Sequence, residues 1–403
     1  MSASRSRGRQ LVYLSPDISD TSTIKRVEEF ISQGYAVTVI GFRRDRYNRN
    51  YAPAWPHVLL GYTADAKYGQ RALVMLGALR ALIARRQWLR HTAVLYCRNL
   101  DQLVLATLAR VLFCRDALVV YEILDVQPIL VGRGPLSRLL RAIERLCLRW
   151  VRVLVVSSPG FVTNYFRPVQ RYRGDWFLLE NKVHPSALSG ERDLAVEADP
   201  PRVREHSWVV GYFGLIRGQQ TFDLMTRLAA RLRGKVLFTF RGVLTTVDRA
   251  HFAAGLAANP NMIYAGDYVS PRDLASIYRE VDLAWALDLE NVDHNSRWLL
   301  PCRFYEAGLH GVPCLGMRDF EVGRLIDRLG VGWTFEEPLE DALVRFFETL
   351  TAAELDEKRR RLRALPRSTF IADDDIAGLC KIFDRELAEL VDTPLDPVIG
   401  PSL

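Results

Sequence analysis

Residues 295–316 read Asn295-Ser296-Arg297-Trp298-Leu299-Leu300-Pro301-Cys302-Arg303-Phe304-Tyr305-Glu306-Ala307-Gly308-Leu309-His310-Gly311-Val312-Pro313-Cys314-Leu315-Gly316. A polar loop passes into a short helix carrying Arg303 and Glu306, and a Gly-x-Pro break at Gly311 and Pro313 leads into a small apolar strand. Arg303 and Glu306 are three apart, so they share one helical face near its N-terminal end. Free N–H groups and the helix dipole favour an anion there, and a carboxylate one turn further in accepts the two hydroxyls of a ribose. The pattern fits a nucleoside diphosphate site. An i, i+3 surface ion pair on an ordinary helix fits the same spacing.

Outward from this stretch, short β-rich runs alternate with helical patterns. Strands are expected at 11–14, 36–42, 93–97, 117–121, 153–156 and 176–179, with helices at 23–33, 71–86, 101–113 and 136–150 between them. Residues 185–206 interrupt the rhythm with three prolines, many charges and no apolar period, as a linker does. The alternation then restarts, with strands at 208–213, 235–240, 262–264, 283–287 and 314–316 and helices at 221–232, from 271 and at 374–390; 393–403 reads as a tail. Alternation of this kind implies parallel βαβ units in an α/β fold. Two doubly wound domains are expected, at 1–190 and 207–372, with 373–403 supplying a helix that returns to the first. Such domains present their ligand sites at the carboxyl ends of their strands, in the cleft between them.

The chain's 403 residues suit two cores, and 49% hydrophobic with 25% charged residues is the composition of a folded soluble protein. The net charge of +7 is uneven. Residues 1–200 hold 29 Lys/Arg against 17 Asp/Glu, and 201–403 hold 25 against 30. The basic half therefore suits an anionic partner, a membrane surface or a nucleic acid. Stretches 71–90, with five Arg and no acid, and 133–152, with six Arg and one Glu, interleave basic and apolar residues. They suit lipid headgroups, or equally core-packing helices with solvated arginines. No apolar run is long enough to span a bilayer, no signal-peptide core follows the basic N-terminus, and the six cysteines form no CxxC pair. They read as reduced packing residues of a cytoplasmic protein.

Gly211-Tyr212-Phe213-Gly214-Leu215-Ile216-Arg217-Gly218-Gln219-Gln220 follows an apolar strand and opens a helix. Gly214 permits close backbone approach, Arg217 offers a fork of donors to a diphosphate, and Gln219 opens the helix beside it; a tight turn with a solvated Arg is the plainer alternative. Tyr264-Ala265-Gly266-Asp267-Tyr268, then Val281-Asp282-Leu283-Ala284, then the opening stretch complete the series. This succession resembles the C-terminal domain of GT-B fold glycosyltransferases, particularly glycosyltransferase family 4. Leu300-Pro301-Cys302-Arg303-Phe304-Tyr305-Glu306 with Gly311-Val312-Pro313 matches that family's "lP-x-K-x-x-E-x-x-x-x-G-x-P", with Arg303 in place of Lys. The resemblance implies a ribose-binding role for Glu306, diphosphate contacts for Arg217 and Arg303, positions near the phosphates for Asn295 and Ser296, and a base-contacting turn from Tyr264 to Gly266. Many relatives carry a second Glu eight positions before the ribose-binding one; here that position is Trp298. The retaining chemistry associated with paired glutamates is therefore not expected. Asp288-Leu289-Glu290 has the look of a metal-binding Asp-x-Asp, but the two-domain layout argues against it, and no metal or other cofactor is expected.

The first half resembles exopolysaccharide glycosyltransferases of the succinoglycan-biosynthesis type, through Ile40-Gly41-Phe42-Arg43-Arg44, Tyr68-Gly69-Gln70-Arg71-Ala72-Leu73, Cys97-Arg98-Asn99-Leu100-Asp101, Tyr121-Glu122 with Leu124-Asp125, Ser157-Ser158-Pro159-Gly160-Phe161 and Glu180-Asn181-Lys182. That resemblance implies a UDP-sugar donor, a lipid-diphosphate-linked oligosaccharide acceptor at the inner membrane face, and inversion. An inverting transferase needs a carboxylate to take the proton of the attacking hydroxyl. Asp125 is the first candidate and Glu122 the second; helix capping or an ion pair with Arg133 is the alternative. Asp17 and Asp20, after the first strand, border the acceptor in such folds, although Asp20 or Thr21 also suits a helix cap. Arg98 and Asn99 follow another strand end and would reach an acceptor diphosphate, unless Arg98 is buried in an ion pair with Asp101 or Asp125. Two other classes fit parts of the sequence. One is a non-catalytic scaffold of the same fold. The other is a nucleic-acid-binding protein, for which no recognition motif is present.

Overall fold

The computed structural model describes residues 9–44, 51–62, 77–185 and 206–392. The expected linker at 185–206, the tail at 393–403, residues 71–76 of the first basic stretch and the Tyr68–Leu73 motif lie essentially outside these residues. Strands β1 (Gln10–Ser15), β2 (Ala36–Arg43), β3 (His57–Tyr62), β4 (Val94–Arg98), β5 (Leu118–Ile123), β6 (Val151–Val156) and β7 (Trp176–Leu178) form one sheet. Its order is β3-β2-β1-β4-β5-β6-β7. Strands β8 (Trp208–Ile216), β9 (Val236–Leu244), β10 (Met262–Tyr264), β11 (Leu283–Trp285), β12 (Cys314–Met317) and β13 (Gly332–Phe335) form the second, ordered β10-β9-β8-β11-β12-β13. Every pairing is parallel. Both orders reverse direction beside the first strand of the sheet, which opens a crevice at the carboxyl edge.

Among the described residues the expected strands and helices are present, the helix expected at 71–86 being seen from 77 onward, and β5 and β9 extend further toward the carboxyl edge than their apolar runs suggest. The two edge strands β3 and β13 are additional. The first sheet is covered on both faces, so its strands read as continuous apolar runs rather than alternating ones. Val12, Leu14, Leu95, Val119 and Leu154 point to one core, and Leu11, Tyr13, Val94, Val120 and Val153 to the other. Helices 99–112 and 135–147 cover the first of these faces.

Helix Thr21–Ser32 covers the second face, with Asp20 as its N-cap accepting from the Ser22 N–H at 2.7 Å. Helix Asp375–Asp392 lies beside it, sending Leu379 and Phe383 into the same core, with the Phe383 ring 6.0 Å from that of Phe30. The chain thus crosses between the sheets twice. The crossings are pinned together by a parallel bridge between Val183 and Ile371, with the Val183 N–H donating to Phe370 O and the Ala372 N–H donating to Val183 O, each at 2.9 Å.

A buried ion cluster joins helix 21–32 to the sheet. Glu122, only 1% exposed at the end of β5, accepts from Arg26 Nη2 at 2.9 Å and from Arg98 Nε, while Arg26 also pairs with Glu29. Burial pushes the Glu122 carboxyl up, but Arg26 and Arg98 outweigh it and hold the pKa at about 2. The charged form therefore stabilises the fold above the ordinary value of 4.5, and that contribution fades as pH falls toward about 2. Removing one member leaves a buried charge uncompensated. Glu122→Gln is expected to cost roughly 3–5 kcal/mol in urea unfolding at pH 7, with a loss that shrinks as the pH is lowered through this window.

Candidate functional site

The two carboxyl edges meet where the segment Asn295–Leu300 of the second domain lies against the first. Trp298 is buried in the first sheet's core, and its carbonyl accepts from Ser158 Oγ. A Cβ on Gly160 would stand 2.5 Å from the Trp298 carbonyl oxygen, so only glycine allows this approach. Asn295 Oδ1 accepts from the Val126 N–H at 3.1 Å, and Glu180 accepts from Tyr305 Oη at 2.9 Å.

On the second domain's wall, the Arg303 guanidinium turns back to the sheet. Nε donates to Phe213 O at 2.9 Å and Nη1 to Trp285 O at 2.8 Å, and the group lies over the Tyr212 ring, 4.2 Å from its centroid. Two diverging carbonyls and an aromatic face suit the planar fork of Arg better than the point charge of Lys. The remaining nitrogen, Nη2, and Tyr268 Oη lie 3.9 and 3.8 Å from where a Cβ on Gly214 would stand. Gly214 has φ 104°. It pairs with Gly242, where a Cβ would meet the Gly214 carbonyl oxygen at 2.1 Å, so the loop needs both glycines.

Glu306 accepts from Tyr278 Oη at 3.2 Å. Burial raises its pKa, opposed by that bond, Arg303 and Lys25 of the first domain. Arg217 donates through Nε and Nη2 to Asp288 Oδ2 at 2.9 and 2.6 Å, and Glu290 stands 3.5 Å away. The Asp288-Leu289-Glu290 triplet therefore serves an arginine. Gln219 donates to Asp223 at 2.9 Å along its own helix. Helix Gln219–Arg231 starts at Gly218 with no side-chain cap, leaving its first N–H groups to the cleft loop. Tyr264 Oη donates toward Gly242 O at 2.9 Å and lies 3.0 Å from Asp267, and Gly266 has φ 81°.

Two residues expected near the donor phosphates have side chains engaged with protein partners. Ser296 is 2% exposed and its Oγ accepts from the Asn291 N–H inside its own loop. Asn295 reaches the other domain. The sequence offers Asp288 only as a metal ligand and gives no side-chain role to Tyr212, Tyr268, Tyr278 or Lys25, because each acts through a partner elsewhere in the chain.

On the first domain's wall, Asp125 stands past the end of β5 with its carboxyl exposed to the cleft. The crowded protein around it raises its pKa, opposed first by Arg217 across the cleft and then by Arg44, with Asp20 pushing upward and Arg98 downward. Asn99, at φ 63°, lines a small hollow with Asp125 and Gln127. The other expected residues of this wall are engaged internally. Glu122 has both oxygens in the ion cluster, which removes it as a base. Arg98 pairs with Glu122 rather than Asp101 or Asp125, and its Nη1 donates to Ser22 Oγ at 2.7 Å. Asp17 folds onto Ser19, accepting from its N–H at 3.0 Å and its hydroxyl at 2.7 Å. Asp20 caps its helix.

No protein-family model matches the chain. It is 31% identical over 382 residues, 94% of each chain, to the succinoglycan biosynthesis protein ExoL of Rhizobium meliloti. Among solved structures, sucrose-phosphate synthase from Thermosynechococcus elongatus superposes with a TM-score of 0.69 at 12% identity, covering 94% of this chain and 100% of that one. Anabaena HepE in complex with UDP gives 0.66 at 12% identity and the same coverage. The glycosyltransferase WaaG of lipopolysaccharide biosynthesis gives 0.61 at 13%, over 93% of this chain and 99% of that one. These likenesses fix the GT-B fold, and the first fixes the kinship: the chain belongs to the family of ExoL, as a nucleotide-sugar-dependent glycosyltransferase of exopolysaccharide biosynthesis.

Proposed function

We propose that the chain moves a hexose, of the glucose or glucuronic acid type, from a UDP-sugar to a lipid-diphosphate-linked oligosaccharide, with inversion and without a metal. The observation that carries this reading is Asp125, an accessible carboxyl with a raised pKa facing Arg217 across the cleft. Asp125 takes the proton of the acceptor hydroxyl while that oxygen attacks the anomeric carbon from the side opposite the departing UDP. Arg217, the free edge of Arg303 and the uncapped start of helix 219–231 meet the charge that grows on the diphosphate. Asp288 neutralises Arg217 until the diphosphate takes its place. Glu306, held by Tyr278, accepts the ribose hydroxyls. HepE, of the same fold, was crystallised with UDP, which supports the choice of nucleotide.

A lipid-linked acceptor requires access to a membrane. No helix among the described residues is long and apolar enough to cross one. Helix Pro135–Cys147 instead exposes Leu136, Leu139 and Leu146, at 45%, 57% and 49%, beside exposed Arg138 and Arg145. Leu112 at 55% and Val111 at 38%, on the adjoining helix, continue the apolar strip. Leucines that enter the headgroup layer and arginines that meet anionic phosphates suit peripheral docking at the inner membrane face.

Millimolar UDP is expected to raise the melting temperature by roughly 5 °C, and Glu306→Ala to abolish the rise. Asp125→Asn should keep the UDP shift and lose sugar transfer from UDP-glucose or UDP-glucuronic acid to membrane lipid extract by about a thousandfold. Wild type that binds UDP and transfers neither sugar would favour the scaffold reading. In wild type, the rate should fall on the acid side with a midpoint above the ordinary aspartate value of about 4. Leu139→Glu should weaken sedimentation with anionic phospholipid vesicles at least tenfold and leave the UDP shift unchanged; equal binding by both proteins would remove the helix from the membrane contact.

A further inference from the structure

Among the described residues, Asn295 is the one side chain of the donor domain that bonds directly to the backbone beside Asp125. Its Oδ1 accepts from the Val126 N–H at 3.1 Å. That N–H belongs to the peptide plane immediately after the Asp125 α-carbon. Fixing the plane fixes the adjoining backbone torsion, and with it the direction in which the carboxyl leaves the chain.

Asn295 is itself well braced. It opens the short helix Asn295–Trp298, whose far end is locked into the first domain by Trp298. Its near end is closed by reciprocal bonds, the Asn291 N–H to Ser296 Oγ and the Ser296 N–H to Asn291 O, at 3.2 and 3.1 Å. The same loop begins at Asp288, whose Oδ1 accepts from the Glu290 N–H at 3.0 Å and whose Oδ2 holds Arg217. One continuous stretch, 288–298, thus touches the diphosphate-binding arginine at one end and the Asp125 peptide at the other.

We infer that Asn295 is a positioning residue: it reaches from the donor domain to set the Asp125 carboxyl against the acceptor hydroxyl, and it does not bind the donor. This rests on the reading of Asp125 as the base. The acceptor of this bond has to come from the donor domain for the carboxyl to be set relative to the sugar as well as to its own strand. A base fixed only within its own domain would follow every small movement of the two walls, and an error of about 1 Å costs on the order of a hundredfold in rate.

The test uses three full-length variants. In Asn295→Ala the Val126 amide loses its acceptor, so hydrogen exchange in a peptide covering 124–131 should quicken at least tenfold. The melting shift and affinity for UDP should stay within twofold, and transfer from the UDP-sugar to membrane lipid extract should fall about ten- to hundredfold in kcat with KM for the donor unchanged. Asn295→Asp keeps an acceptor oxygen and should restore slow exchange. It also sets a negative charge near Asp125, among Arg217, Arg44, Asp20 and Arg98, so the acid limb of the rate should move to higher pH, which a merely structural role would not do. In an Asp125→Asn background, Asn295→Ala should add little further loss.

Unchanged exchange in Asn295→Ala overturns the inference. So does a tenfold loss of UDP affinity, which would make Asn295 a donor ligand. Full transfer by Asp125→Asn would instead strike the base reading, while the exchange result would still report whether Asn295 holds that peptide.

Discussion

A cleft between two domains works as a site only while its walls keep register, and here that register rests on the burial of Trp298. The indole belongs to the second domain by sequence and to the first domain's core by packing. Burying a side chain of this size stabilises the contact by a few kcal/mol, and the glycine at 160 lets the backbone carrying it come close enough for Ser158 to bond its carbonyl. Asn295 and the Tyr305–Glu180 bond extend the contact to either side. The two crossings, joined at 183 and 371, add a backbone tie between the domains. Hydrophobic burial holds the domains together, and the polar contacts fix how they face each other.

Around that contact the charges divide into two groups with different work. Glu122 and Asp125 are three residues apart at the end of one strand, yet their environments drive them in opposite directions. Glu122 points beneath helix 21–32, where two guanidiniums hold it ionised at about 2. Asp125 lies beyond the strand, with no hydrogen bond to its carboxyl among the described residues, and crowding raises its pKa. A carboxylate with both oxygens clamped cannot approach a substrate, whereas one with its acceptor sites open and a pKa nearer neutrality is suited to receiving a proton. The arginines divide likewise. Arg26 and Arg98 are spent on the fold, while Arg217 is balanced by Asp288 in a partly exposed pair at the cleft.

The fold was legible wherever burial left a pattern. Central strand Leu118–Ile123 buries every residue and Trp208–Ile216 six of nine, and both read as mainly apolar runs. The edge strand His57–Tyr62 is partly exposed throughout, and Gly332–Phe335 is four residues with two half-exposed, so neither rises above its loops. On the second domain's wall the candidates Arg303, Glu306 and Gly214 stood out for a related reason: each lies in a short segment whose spacing is itself the signal, although the partners that hold them do not. The first domain's wall was not legible in this way. Which of Glu122 and Asp125 is clamped depends on Arg26, 96 residues from Glu122, and the role of Asn295 depends on Val126, 169 residues away. Spacing along a chain carries no information about contacts of that separation.

Position 298 joins these threads. Retaining relatives of the resembling family often place a glutamate there, close to the donor sugar. A carboxylate at this position would have to remain in the wet cleft, because burying it where the indole lies, in the first sheet's apolar core, would remove a charge from water. Tryptophan reverses the requirement: it gains by leaving the cleft and draws its own backbone onto the other domain. The exchange of Glu for Trp therefore does two things at once. It takes a carboxylate away from the donor side, and it brings Asn295 within reach of the peptide beside Asp125. One short segment thus supplies both the apolar anchor, Trp298, and the polar contact, Asn295, that set the two walls against each other.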